Sequence, residues 1–209
     1  MAMASDGGGG NGDAEDFSRQ IDGLLPALAA GGTAQRSAHR VVLATVGEIG
    51  SAPAIVTNVA RTCARKGYRT LVVDANLNAP FLHEVFGADN SRGLSTLLSS
   101  TQPPNRLWQP TIVPNLALMT AGPAPANGSS LLTTEHVFHR VDGISRHFDY
   151  VIVDCSRLSA VLAASVAADA DSVIIFTMRH STPMRQLSSY LDVLRSKGTV
   201  QPSVVLVES

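Results

Sequence analysis

The sequence predicts an α/β fold, a parallel sheet of about six strands flanked by helices. Short apolar runs rich in valine, isoleucine and leucine recur along the chain without polar alternation, which is typical of parallel strands covered on both faces. They lie at 41–46, 70–73, 116–120, 150–153, 172–177 and 203–207. Helical patterns separate most of these runs, and this alternation predicts right-handed crossovers with helices on both faces of one sheet.

The first two strands and the helix between them organise the rest of the chain. The strand Val41–Val46 is followed by a turn, and apolar residues then recur at helical spacing as far as Gly67, a C-cap residue. The turn contains Gly47, Gly50 and Pro53. The next strand, Thr70–Val73, ends at Asp74. Ligands of such βαβ units bind outside the carboxyl ends of the strands, so the turn and Asp74 are predicted to face one crevice.

The other connections are predicted from spacing and composition. Helices are expected at Phe81–Phe86, Leu94–Leu98, Leu131–His147, Leu158–Ala168 and Pro183–Lys197. The segment Thr101–Pro114 is rich in Pro, Asn and Gln, and it predicts a loop that can include an edge strand. Trp108 within it is expected to anchor packing, because Arg106 is the only basic residue that accompanies it.

Composition divides the chain into three parts. Residues 1–16 form a glycine-rich tail with four consecutive glycines, which we expect to be disordered. Residues 17–39 form an amphipathic linker segment broken by Pro26, which is expected to pack on the domain, with docking on a partner as the alternative. Residues 40–209 suit one α/β domain of ordinary size.

Charge and hydropathy argue against several classes of function. The net charge is −1, and no dense cluster of Lys and Arg indicates a nucleic-acid surface. The sequence lacks a signal peptide and an apolar stretch long enough to span a bilayer, which predicts a cytoplasmic protein without direct membrane insertion. Any recruitment to the inner face of the membrane is then expected to come from a partner. The isolated Cys63 and Cys155 fit a reducing compartment.

Several motifs together carry a resemblance to a known family. They are Asn58-Val59-Ala60, Asp74-Ala75-Asn76-Leu77-Asn78-Ala79-Pro80, Leu82-His83, Phe86-Gly87, Gly93-Leu94-Ser95 and the run from Phe148 to Asp154. In order and spacing they resemble the bacterial tyrosine kinases that control capsule and exopolysaccharide synthesis, relatives of the MinD/ParA P-loop ATPases. The resemblance runs from about Arg40 to the C-terminus. It implies the three-layer sandwich of the P-loop NTPases.

The resemblance also assigns candidate site residues. Its nucleotide loop falls on Gly47, Glu48, Ile49, Gly50, Ser51, Ala52 and Pro53, and it places Arg179 near the nucleotide. Asp74 and Asp154 take the catalytic positions and are the implied Mg²⁺ ligands. Because both are expected to end adjacent strands, we expect them to lie close together. ATP and Mg²⁺ are the implied cofactors.

Parts of that machinery are missing from this sequence. A phosphate-binding loop needs a lysine for the phosphates and a hydroxyl for Mg²⁺, but these positions fall on Ala52 and Pro53. No lysine occurs anywhere between Val41 and Ala60, and the second aspartate of the family's DAD motif is Asn76. The subunit-assembly helix and the C-terminal tyrosine cluster of the kinases are not found either.

These departures favour a pseudo-kinase with a degenerate Walker A loop and impaired ATP binding. In this hypothesis the chain regulates exopolysaccharide or capsule synthesis or export by binding a membrane chain-length (co-polymerase) protein. Two alternatives stay open: an active ATPase or protein tyrosine kinase that borrows a cation such as Arg61 or Arg179, and a MinD/ParA-like nucleotide switch. Assembly into a homo-oligomer also stays open.

Histidines offer a separate hypothesis. His136 and His139 are three residues apart on a predicted helix, a spacing that suits a shared metal ion. No third ligand is nearby in sequence, so a solvated helix face is favoured. His83 and Glu84 are expected to form a surface pair on a short helix.

Overall fold

One seven-stranded sheet forms the centre of the structure, a computed structural model that describes residues 38–50, 52–101 and 103–207. The strands are β1 (His39–Val46), β2 (Thr70–Asp74), β3 (Gln109–Pro110), β4 (Leu116–Met119), β5 (Tyr150–Cys155), β6 (Ser172–Met178) and β7 (Ser203–Val207). Their order across the sheet is β3-β4-β2-β5-β1-β6-β7. Six strands are parallel, and β3 pairs with β4 in the antiparallel direction. The predicted α/β class is therefore confirmed, with the short edge strand inside the segment 101–114.

Seven helices are found within the described ranges. They are α1 (Ala52–Arg65), α2 (Leu82–Phe86), α3 (Leu94–Ser99), α4 (Gly128–Thr134), α5 (Val137–Ser145), α6 (Ala160–Ala167) and α7 (Met184–Ser196), with a 3₁₀ turn at Pro104–Arg106. None of these helices has the length and apolar character that a membrane-crossing segment needs.

Two buried clusters cover opposite faces of the sheet and make three layers. Along β1, Val42 and Ala44 pack into the cluster that contains α3, α5, α6 and α7. Val41 and Leu43 point to the other face, where they pack with α1. Alternate residues of one strand are thus buried on both sides, which explains why the strands lack a polar face. Trp108 packs edge-on against Phe148 at a centroid distance of 5.4 Å, which supports its predicted role in packing.

The single helix predicted from Leu131 to His147 is wrong, because the structure has α4 and α5 with a break at Glu135 and His136. Both residues have extended backbone, with ψ values of 125° and 98°. The hydroxyls of Thr133 and Thr134 both donate to the carbonyl oxygen of Ser130, and such local bonds compete with helix continuation. The imidazole of His136 contacts Asp169 and so anchors the break.

The expectations for residues 1–16 and for most of 17–39 lie outside the described residues. Within that second segment the structure describes Ala38 and His39, and His39 begins β1. The C-cap prediction at Gly67 is confirmed: its φ is +90°, and its N–H donates to the carbonyl of Ala64 at 3.0 Å.

Candidate functional site

The ends of β2 and β5 bring two carboxylates together. Asp74 and Asp154 are register partners on these adjacent parallel strands, so the expectation that they lie side by side is confirmed. Both residues are completely buried. Buried carboxylates persist only where hydrogen bonds or opposite charges compensate for the lost water, so their partners define the chemistry of this site.

The amide of Asn76 bridges the two carboxylates. Its Nδ2 donates to Asp74 Oδ1 at 3.1 Å and to Asp154 Oδ2 at 2.8 Å. Its Oδ1 accepts the N–H of Arg157 at 2.9 Å, which fixes the orientation of the amide. One neutral side chain therefore binds both carboxylates with two N–H groups. In the sequence Asn76 is recognisable only as the place of a missing acid, and this bridge was not predicted.

Asp74 also organises the chain that follows it. Its Oδ2 accepts the main-chain N–H groups of Phe81 and Leu82 at 3.2 and 3.1 Å, at the start of α2. Its Oδ1 accepts the N–H of Asn76 at 3.0 Å. Asp74 therefore caps the following turn and the short helix, a structural role in addition to any role in catalysis.

The two carboxylates differ in their affinity for a proton. Burial, and then the negative charge of Asp74, raise the pKa of Asp154 to about 7, although the N–H of Ser156 and the Asn76 amide oppose the shift. Burial raises the pKa of Asp74 as well, against the N–H donors of Asn76, Leu82 and Phe81. Because Asp74 has more main-chain donors, we assign the proton that the pair takes up near neutral pH to Asp154.

The loop that follows β1 runs beside this pair. Gly47 has a φ of +88°, and the N–H of Ala52, the first residue of α1, donates to the carbonyl of Ile49 at 3.0 Å. Ser51 lies outside the described residues. The turn after β6 packs on the loop, since a Cβ built on Gly47 would lie 2.5 Å from the hydroxyl of Thr182. That hydroxyl donates to the carbonyl of Val46 at 3.2 Å.

No lysine is near the loop. The whole chain contains two, Lys66 and Lys197, and they directly follow α1 and α7. Each of these helices begins at the carboxyl edge of the sheet and leads back to the start of a parallel strand, so its last residue lies at the opposite edge. The sequence-level observation that the loop lacks a lysine thus also holds in three dimensions.

The arginines considered as borrowed cations lie away from the pair. Arg61 is the tenth residue of α1, about 14 Å along the helix axis from Ala52, and its guanidinium lies over the ring of Phe86. Arg179 follows β6, and β1 separates β6 from β5. Arg179 therefore follows a strand that lies roughly two inter-strand spacings, or about 10 Å, from the strand of Asp154.

The structure places Arg157 at the site. Its guanidinium donates to the carbonyl of Ala79 at 3.1 Å and lies 4.6 Å from the ring centroid of Phe81. The sequence signal was its place three residues after Asp154. Arg157 was not selected from that signal.

The donor set matches Mg²⁺ and nucleotide only in part. Asp74 and Asp154 are oxygen ligands of the kind that Mg²⁺ prefers, and β1 leads through a glycine-containing loop into a helix N-terminus, as in phosphate sites. The lysine and hydroxyl that would hold the phosphates and Mg²⁺ are absent at Ala52 and Pro53, and the Asn76 amide already occupies one oxygen of each carboxylate.

Comparisons with known proteins agree with this architecture. The sequence matches no protein-family model. It is 31% identical over 145 residues to the tyrosine-protein kinase ptk of Acinetobacter johnsonii, covering 69% of this chain and 20% of that protein. It is 27% identical over 150 residues to the tyrosine-protein kinase CpsD of Streptococcus pneumoniae, covering 71% of this chain and 66% of that protein. The chain spans between 16% and 49% of the length of the curated relatives with 31–32% identity.

Solved structures show the same fold at low sequence identity. The kinase domain of Escherichia coli tyrosine kinase ETK superposes with a TM-score of 0.79 at 18% identity, covering 99% of this chain and 81% of that chain. The chimerical protein CapA2B2 superposes with a TM-score of 0.76 at 23% identity, covering 92% of this chain and 83% of that chain. Cobyrinic acid a,c-diamide synthase from Mycobacterium smegmatis, solved with an ATP analogue and magnesium, gives 0.67 at 18% identity, covering 81% and 74%. The chain is thus a homologue of bacterial tyrosine-protein kinases and has the α/β fold of a solved tyrosine-kinase domain.

Proposed function

We propose that this chain is a pseudo-kinase of capsule or exopolysaccharide synthesis or export. It keeps the fold of the tyrosine kinases and binds Mg·ATP weakly or not at all. It acts in the cytoplasm by binding a membrane chain-length (co-polymerase) protein, which recruits it to the inner face of the membrane. The polysaccharide pathway and the partner come from the family resemblance, whereas the loss of nucleotide binding comes from the site itself.

The bridge made by Asn76 is the observation that carries this proposal. Two adjacent carboxylates repel each other, and a metal ion or a proton relieves that repulsion in an active site. Here a neutral amide donates to both carboxylates, at 3.1 and 2.8 Å, and the raised pKa of Asp154 lets a proton on that carboxyl remove the remaining repulsion. The pair is therefore stabilised without an ion.

The phosphate side of the site supports the same conclusion. Phosphoryl transfer depends on positioning and on positive charge around the phosphates. Between Val41 and Ala60 the loop and helix have no Lys or Arg, and they include Glu48. The negative charge of Glu48 opposes the binding of a polyphosphate.

Arg157 favours one alternative, an active ATPase or kinase with an atypical phosphate loop. Its guanidinium is exposed beside Phe81, at the carboxyl edge where a nucleotide would lie. An arginine there can contact phosphate oxygens with two N–H groups. This alternative requires Mg·ATP binding that depends on Arg157, which the following experiment measures.

Calorimetric titration of the chain with Mg·ATP tests the proposal. We expect a Kd weaker than about 1 mM, since little fixed positive charge faces the phosphates. A micromolar, Mg²⁺-dependent Kd that is lost in Asp154→Asn would overturn the pseudo-kinase assignment. If Arg157→Ala also abolished that binding, the atypical-loop alternative would replace it.

Polymer yield in cells gives a second, independent measurement. Asp154→Asn is expected to support the same polysaccharide yield as the unmodified chain, because a regulator that acts through binding does not need a catalytic carboxylate. Loss of polymer with a normal level of folded Asp154→Asn protein would contradict the proposal. Arg106→Ala, a change at an exposed residue away from the pair, serves as the matched control.

A further inference from the structure

The structure brings a third candidate metal ligand to His136, in the break before α5, and to His139 of α5. Asp169, which follows α6, lies with its Oδ2 2.9 Å from Nδ1 of His136 and its Oδ1 4.0 Å from Nε2 of His139. The three ligand atoms lie within 4.8 Å of one another. Asp169 is 33 residues from His136 in sequence, which is why sequence analysis found no third ligand.

From this cluster we infer a surface binding site for a divalent transition-metal ion, with Zn²⁺ as the metal. Two imidazoles and one carboxylate are the protein ligands of many three-ligand zinc sites, in which water takes the fourth position. Zinc–ligand bonds of about 2.0–2.1 Å in a tetrahedron put neighbouring ligand atoms roughly 3.3 Å apart. The three ligand atoms already lie within 4.8 Å of one another, so rotation of the exposed side chains brings them towards that separation.

The three side chains are accessible to an ion from solvent. The side chains of His136, His139 and Asp169 are 60%, 58% and 26% exposed. The two imidazole rings lie together, with centroids 5.2 Å apart and planes tilted by 37°. Imidazole binds a metal ion in its neutral form, so a bound cation requires both rings to be neutral.

Arg40 fixes the main chain at Asp169, the residue that provides the carboxylate ligand. Its side chain donates to the main-chain carbonyl of Asp169 at 3.4 Å and forms an ion pair with Asp142 of α5 at 2.6 Å. The main-chain N–H of Arg40 donates to the carboxylate of Asp171 at 2.9 Å, and its carbonyl accepts the N–H of Asp171 at 2.8 Å. One residue of β1 thus fixes the segment after α6 relative to α5, and such hydrogen bonds behind the ligands hold a metal site in position.

A metal ion at this cluster would connect two elements beside the sheet, and neither of them belongs to the candidate nucleotide site. It would join the start of α5 to the connection between α6 and β6, and it makes no use of Asp74, Asn76 or Asp154. The inference is therefore independent of whether the chain binds nucleotide. Its consequence is a fold that Zn²⁺ stabilises, because an ion that binds only the folded state shifts the unfolding equilibrium.

His139 provides the sharpest test. Its Nε2 is 4.0 Å from Asp169, too far for a hydrogen bond, so His139→Ala removes a metal ligand at little cost to the fold. His147→Ala is the matched control, because His147 is also exposed and does not belong to the cluster. Asp169→Asn removes the carboxylate charge and gives a second variant.

The experiment titrates ZnCl₂ into metal-free, untagged protein by calorimetry and follows the Tm with and without Zn²⁺. We expect one ion per chain and a Tm raised by several degrees in the unmodified chain and in His147→Ala. In His139→Ala and Asp169→Asn we expect affinity to fall at least tenfold and the Tm increase to disappear, with the metal-free Tm of His139→Ala unchanged. No binding to the unmodified chain, or equal binding to His139→Ala, would overturn the inference and leave only a surface hydrogen bond.

Discussion

At the scale of single residues, the replacement of a carboxylate by an amide at Asn76 determines how the centre of this protein is stabilised. An aspartate there would add a third negative charge beside Asp74 and Asp154, and its oxygens could donate nothing to them. The amide donates to both, and its carbonyl accepts the N–H of Arg157. A carboxylate at this position would leave the two aspartates in need of a cation. With the amide, hydrogen bonds from the protein and one proton are enough to stabilise them.

Asn76→Asp is therefore expected to destabilise the protein by roughly 3 kcal/mol in the absence of divalent metal, because it leaves buried charge unpaired. Millimolar Mg²⁺ is expected to recover part of that loss. Urea unfolding with and without Mg²⁺ measures both effects. Asn78→Asp adds the same charge at an exposed position and is expected to show neither effect. A metal-free Asn76→Asp protein as stable as the unmodified chain would contradict the bridging role.

The raised pKa of Asp154 makes a second residue-scale prediction, on the pH dependence of stability. The folded pKa is about 7, and the unfolded pKa of an aspartate is about 3.9. Between these values the folded state binds more protons than the unfolded state, so this carboxylate destabilises the fold increasingly as pH rises towards 7. Above that pH its contribution no longer changes.

The difference in stability between Asp154→Asn and the unmodified chain should consequently shift in favour of the variant by roughly 2 to 4 kcal/mol from pH 5 to pH 8. Taking the difference removes the effect of His39, whose pKa is lowered by burial and which also affects stability in this range. Urea unfolding at several pH values gives the curve. A difference that stays constant across this range would mean that Asp154 is ionised throughout.

At the scale of elements, short helices are placed by main-chain bonds to strand ends. The N–H groups of Leu94 and Ser95 at the start of α3 donate to the carbonyls of Thr120 and Ala121, both at 2.8 Å. The hydroxyl of Ser95 donates to the carbonyl of Pro123, also at 2.8 Å. This docking explains the Gly93-Leu94-Ser95 motif: the glycine allows close approach, the leucine is buried and the serine bonds to the chain after β4.

Gly93→Ala is predicted to be severely destabilising, by about 3 kcal/mol, because overpacking against main chain cannot relax easily. The new Cβ would lie 2.6 Å from the main-chain nitrogen of Gly122 and closer still to the carbonyl oxygen of Thr120. For a domain of this size the Tm should fall by roughly 6 to 12 °C. Gly50→Ala is the control, since a Cβ at Gly50 meets nothing within 4 Å. Equal melting temperatures for the two variants would show that α3 does not dock as described.

At the scale of the whole molecule, the reactivity of the two buried thiols, Cys63 and Cys155, shows whether the core is intact. Cys63 and Cys155 are the only cysteines of the chain, both are free, and they pack in different clusters on the two faces of the sheet. Burial raises the pKa of Cys63 to about 11 and also raises that of Cys155. Thiolate formation at neutral pH therefore requires the sheet to open.

A thiol reagent such as DTNB is predicted to react with neither cysteine in the native protein at neutral pH and with both in urea. The extent of reaction should increase with urea concentration in parallel with loss of circular dichroism. Cys63→Ser and Cys155→Ser report the two faces separately. Rapid reaction of one thiol in the folded protein would show that its face opens locally.

The amino-acid sequence by itself determined the layout of this protein. Strands buried on both faces, the glycine turn after the first strand, the cap at Gly67 and the aspartates that end β2 and β5 all depend on patterns within a few neighbouring residues. Their placement at one edge of the sheet followed too, because parallel strands present their carboxyl ends at the same edge. That their two strands are neighbours was implied by the family resemblance. The family motifs agreed with this layout and with the structural comparisons.

Only the tertiary structure decided how distant side chains meet. The bond between Asn76 and Asp154 joins residues 78 apart, and that between His136 and Asp169 joins residues 33 apart. The break between α4 and α5 likewise involves an anchor outside the local pattern, at Asp169. Periodicity records which face a side chain presents, whereas these contacts depend on strand order, register and the packing of helices that are far apart in sequence.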